Sequence, residues 1–158
     1  MKSNASHCWK SVGALVVIAL AVDSCYKEYP YWQEHLDGHY ILLDRRTVLD
    51  GPEEGDVFLG GVFDLLTSPD RTAVISGKWD TRAEVTGLNL KMEPVSVLGE
   101  DGSKLRYSFG LVEGREDAYK IVGNYSVEGT VYDAKKDALV PYKAVGVFDA
   151  RRDGKPRI

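Results

Sequence analysis

From Gly38 onward the chain carries no sustained 3.6-residue apolar period. Apolar and polar residues alternate instead, and turn residues break the alternation at short intervals. That pattern excludes a helical body and dictates strands. HYILLD, VFLGGVFDLL, RTAVISGKWD, AEVTGLNLKM, LRYSFGLVEG, AYKIVGNYSVEGTVYD and YKAVGVFDARR read as strand segments. In the longest, Ile121, Gly123, Tyr125 and Val127 share one face. LDGPEEGD, TSPD, LGEDGSK, GRED and AKKDALVP read as turns or loops, with Asp101-Gly102 the strongest hairpin signal. One or two helical turns fit Tyr31–Leu36, and Gly38 ends them.

Consecutive hairpins require antiparallel pairing, because parallel pairs need long crossovers. A long meander hides its edges by closing. The expected fold is therefore all-β, an antiparallel meander closing into a barrel of about eight strands. A two-sheet β-sandwich is the alternative. Such a barrel holds packed side chains or one small ligand.

Residues 1–24 read as a signal peptide. Lys2 and Lys10 make a positive start, and Val12–Val22 is an uncharged apolar run too short to span a bilayer. Ala19-Leu20-Ala21 fits ordinary cleavage, whereas Val22-Asp23-Ser24-Cys25 resembles a bacterial lipobox. Cys8 would leave with the signal, so Cys25 would be the sole cysteine of the mature chain, and lipidation accounts for it. The expected protein is exported to the periplasm, the outer membrane or the cell surface, and held at a membrane through Cys25. Secretion as a soluble protein is the alternative. Residues 25–37 read as an extended tether and N-terminal arm, 38–152 as the β domain, and 153–158 as a polar tail. The net charge of −4 and basic residues such as Arg45-Arg46 and Lys135-Lys136, which come in pairs and not in long runs, exclude a nucleic-acid footprint.

The word Gly-x-aromatic recurs as Gly38-His39-Tyr40, Gly61-Val62-Phe63, Gly77-Lys78-Trp79, Gly123-Asn124-Tyr125 and Gly146-Val147-Phe148. The spacing is irregular, which excludes a repeat array. Glycine within a strand marks a bulge or bend, and an aromatic on the same face can cover the gap, so the word suits sheet construction. The same Tyr40, Phe63, Trp79, Tyr125 and Phe148 are also candidate walls of a cavity for an apolar, aromatic or sugar ligand. Gly77-Lys78-Trp79 and Gly38-His39-Tyr40, in a short exported meander, resemble the Gly-x-Trp word of the calycin group of lipocalins and avidins. That resemblance implies a small barrel binding one small molecule in its mouth.

Catalytic chemistry has few candidates. No G-x-S-x-G is present. His35 and His39 could share a helix face and hold zinc, but Gly38 and the strand after it oppose that helix, so no metal or cofactor is expected. Asp64, Asp80 and Asp149 each follow an inward aromatic by one position and should face solvent, as should Glu128. Three functions follow: a non-enzymatic binding module for a small ligand, an envelope interaction protein with a filled core, or a carboxylate-based enzyme at a barrel mouth.

Overall fold

The computed structural model describes residues 31–115 and 119–154. The signal peptide, Cys25, the start of the tether and the end of the polar tail lie outside the described residues. A short helix, α1 (Tyr31–Leu36), precedes nine strands: β1 (Gly38–Asp50), β2 (Gly55–Thr67), β3 (Thr72–Gly77), β4 (Thr81–Thr86), β5 (Asn89–Met92), β6 (Val95–Leu98), β7 (Lys104–Arg115), β8 (Lys120–Asp133) and β9 (Ala138–Arg152). All pairings are antiparallel, in the order β5-β4-β3-β2-β1-β9-β8-β7-β6.

Eight strands form a barrel-like ring of hydrogen bonds, and a single sheet replaces the sandwich alternative. The ring closes where Asn89 of β5 meets Glu113 of β7, and Gly114 N–H donates to Leu88 O at 2.8 Å. β6 stands outside the ring. It shares the free side of β7 with β5, pairing Val95–Leu98 against Lys104–Tyr107. The β6–β7 hairpin turns at Asp101-Gly102, where Gly99 N–H donates to Ser103 O. Several boundaries differ from the sequence reading: β1 runs past HYILLD to Asp50, β3 stops at Gly77 short of the end of RTAVISGKWD, and β6 matches none of the segments read as strands. AEVTGLNLKM breaks at Gly87-Leu88 into β4 and β5, and ALVP belongs to β9 rather than to a loop.

Alternation decides which side chains enter the ring. Even positions of β1, odd positions of β2, and Ile121, Tyr125 and Val127 of β8 point inward. β7 changes parity midway. Phe109 pairs with Tyr125 but Val112 with Gly123, so one extra residue bulges out at Gly110-Leu111. The inward set therefore passes from Tyr107 and Phe109 to Val112 and Gly114.

Residues 33–37 are not an extended arm. Leu36 is wholly buried, Tyr40 Oη donates to Leu36 O at 2.7 Å, and Gln33 Nε2 donates to Thr67 O at 3.0 Å. Asp37 Oδ1 accepts from both Thr67 N–H and Thr67 Oγ1. α1 thus plugs one end of the ring, because an open end would leave its apolar wall wet.

Two Gly-x-aromatic words lock together. In the β8–β9 ladder Gly123 lies opposite Phe148 and Tyr125 opposite Gly146. Each ring lies over the facing glycine. A Cβ on Gly146 would come within 2.2 Å of the Tyr125 ring, and one on Gly123 within 2.5 Å of Phe148. Gly146→Ala should therefore cost about 1–3 kcal/mol through displaced rings. Urea unfolding would measure it, and a change under about 0.5 kcal/mol would mean the rings yield freely.

Candidate functional site

The five aromatics of the sequence pattern converge inside the ring. Tyr40, Phe63, Trp79, Tyr125 and Phe148 are each at most 5% exposed. Trp79 is not on a strand, as alternation suggested. β3 ends at Gly77, and the β3–β4 loop turns the indole inward. There it meets Phe109 and Phe148 at 5.2 Å, Tyr125 at 5.7 Å and Phe63 at 6.4 Å between ring centroids. Its Nε1–H has no hydrogen-bond acceptor among the described residues. The space left between Phe63, Trp79, Phe148 and their aliphatic neighbours is about 10 Å³. That is barely room for one water. These aromatics fill the interior.

The interior also holds charge that sequence reasoning missed. Asp44 and Arg46 are 2% and 7% exposed. Tyr125 Oη lies 2.7 Å from both carboxylate oxygens of Asp44. Arg46 Nε donates to Tyr125 Oη and Nη2 to Tyr107 Oη, each at 3.1 Å. The guanidinium lies 5.4 Å from the Tyr107 ring centre, 5.6 Å from that of Tyr125, and 3.9 Å from Asp44 Oδ2. Burial works against the charge of Arg46, but the bonds it donates to tyrosine hydroxyls outweigh it and hold its pKa up. Lys78 lies nearby, its pKa lowered by burial. The signal was present in the sequence. Tyr40, Leu42, Asp44, Arg46 and Val48 are one parity of one strand.

Burial, reinforced by the Asp44 carboxylate, raises the pKa of Tyr125. Burial raises that of Tyr40 too, with Asp37 adding to it and Arg152 opposing. A raised phenol pKa favours the protonated folded state. Its stabilisation is complete below the unfolded value of about 10 and fades as pH rises through the folded value. Spectrophotometric titration should show Tyr40 and Tyr125 among the tyrosines that ionise late, and stability falling above about pH 10. Tyr40→Phe and Tyr125→Phe should each remove one late step; titration of all tyrosines in one step would contradict this.

The carboxylates considered for catalysis are exposed or paired. Asp64 accepts from or pairs with His39 at 2.7 Å. Asp80 Oδ1 accepts from Gly77 N–H at 3.1 Å. Asp149 pairs with Lys120 at 3.0 Å, and Glu128 with Lys143 at 3.7 Å. His35 stacks on Tyr119. No group of three metal-binding side chains occurs among the described residues.

The outer surface carries two features. Phe58, Leu43, Ile41, Val147 and Val62 are 77, 67, 50, 50 and 48% exposed. They adjoin across β2, β1 and β9, since Ile41 faces Val62, Leu43 faces Gly60, and Arg45 lies between Phe58 and Val147. Beside them a groove of about 510 Å³ crosses the outside of β1, β9, β8 and β7. Arg45, Thr47, Val145, Val147, Asn124 and Ser126 are among its walls. No protein-family model, curated protein or solved structure matches the chain. The fold is thus a barrel-like all-β domain that carries an apolar strip and a groove on its outside.

Proposed function

We propose that the protein is an exported, lipid-anchored interaction protein of the bacterial cell envelope, not an enzyme, which meets a partner protein on the outside of a filled ring. The filled interior carries this reading, because about 10 Å³ among the aromatics leaves no place for a ligand. The apolar strip over Phe58, Leu43, Ile41 and Val62 supports it, since adjoining exposed apolar side chains mark protein contacts. A ligand enclosed by Tyr40, Phe63, Trp79, Tyr125 and Phe148, as the calycin resemblance implies, would have to displace Trp79.

Three measurements test this. Intact mass of the mature protein should give an acylated chain beginning at Cys25; an unmodified chain beginning at Val22 removes the anchor. Leu43→Asp with Val62→Asp should leave the melting temperature nearly unchanged, because both residues are exposed, and abolish cross-linking to an envelope protein. Native mass spectrometry showing a stoichiometric small apolar ligand, with quenched Trp79 emission, would sink the reading.

A further inference from the structure

We infer that the groove over β1, β9, β8 and β7 binds an acidic saccharide, Arg45 taking its carboxylate and Asn124, Ser108 and Ser126 its hydroxyls. The inference rests on recognition being external; the groove borders Phe58 and shares Val147 with the apolar strip, but not Leu43 or Val62.

The ladders fix the geometry. Arg45, Val147 and Asn124 form one row across three strands, and Thr47, Val145, Ser126 and Ser108 the next row across four. At about 4.8 Å between strands the groove runs roughly 14 Å, longer than one sugar ring. The side chains of Arg45, Asn124, Ser108 and Ser126 make no hydrogen bond or ion pair among the described residues. Asp56, diagonal to Arg45 on β2, instead accepts from Thr47 Oγ1 at 2.6 Å. Asn124 is seated by the β7 bulge. Its Oδ1 lies 2.0 Å from where a Cβ on Gly110 would stand, so only glycine there lets the carboxamide lie on the groove floor.

The chemistry selects among ligands. One guanidinium matches one carboxylate in bidentate fashion, whereas polyphosphates and nucleic acids call for clusters of cations. Unpartnered hydroxyls and a carboxamide reject a purely apolar guest, which would leave them dry and unbonded. β1, β9 and β8 have strand neighbours on both sides, so no backbone edge is free for an extended peptide to join. Phe58 faces Arg45 across the ladder and is 77% exposed, offering a ring face to the C–H edge of a sugar.

The test is an NMR titration of the mature protein with a trisaccharide of galacturonate, its methyl ester, the neutral galactose trisaccharide and acetate. The acidic trisaccharide should give saturable shifts at groove amides and at the Asn124 side-chain amide. Esterification, Arg45→Ala and Asn124→Ala should each weaken binding at least tenfold. Gly110→Ala should do the same with an unchanged melting temperature, because it displaces only a surface side chain. Absence of saturable shifts, shifts centred elsewhere, acetate matching the trisaccharide, or Arg45→Ala binding like the parent would overturn the inference. A silent groove in a protein that still loses its partner with Leu43→Asp and Val62→Asp sinks this inference alone. Saccharide binding with no effect of that pair sustains it and removes the protein-partner reading.

Discussion

Trp79→Ala should destabilise the protein by about 3–5 kcal/mol, the range for emptying a large aromatic site. That is a large share of the roughly 5–15 kcal/mol that holds such a domain together. The melting temperature should fall by more than about 10 °C. The indole touches rings from β2, β7, β8 and β9, so its loss opens a void between facing walls rather than a dent on one strand. A dry void lined by Phe63, Phe148 and aliphatic groups takes up small aromatics. Free indole should therefore restore part of the loss by mass action. Trp79→Phe should be far milder. It keeps a ring in place and removes an N–H buried without an acceptor, a defect of about 1–3 kcal/mol. If the phenylalanine variant falls as far as the alanine one, the N–H is hydrogen-bonded in solution. If the alanine variant loses under about 1 kcal/mol, the interior is not built around this ring.

That ring also marks how much of the fold was legible. Ile121, Gly123, Tyr125 and Val127 show their face in the bare sequence because β8 is regular between two partners. Asp101-Gly102 shows its hairpin because the turn is a local matter. The locking of Gly123 and Gly146 under each other's partner rings has a sequence signature, but register is needed to see it. Trp79 enters the core through a loop, so strand parity places it without explaining it. The Gly110-Leu111 bulge inverts parity in β7, and nothing in LRYSFGLVEG announces where. Closure rests on Asn89 and Glu113, residues of ordinary surface type. The outer groove depends on four strands lying side by side, which no segment carries alone. The inward parity of Asp44 and Arg46 is hidden in the sequence because charge usually marks a surface.

Removing either partner of the buried pair should cost about 3–5 kcal/mol, whereas removing both should be neutral or stabilising by up to about 4 kcal/mol. Arg46→Met leaves Asp44 with a tyrosine hydroxyl as its one hydrogen-bond partner among the described residues, and Asp44→Asn leaves the guanidinium without its counter-charge. Asp44→Leu with Arg46→Met replaces both charges by apolar groups inside an apolar ring. Denaturant unfolding of the two singles and the double gives the coupling, and singles costing under about 1 kcal/mol would mean water reaches the pair. The reason to keep so costly a cluster lies in β1 itself. Tyr40 and Leu42 point inward, but Ile41 and Leu43 point outward at 50 and 67% exposure, so apolarity does not tell the two faces of YILL apart. A slip of one residue would exchange them with little hydrophobic penalty. It would also pull Asp44 and Arg46 away from Tyr125 and Tyr107, and that loss fixes the register. The double apolar variant should therefore be stable yet show a second set of β1 amide signals by NMR. A single set of signals would return the role of register to the turns.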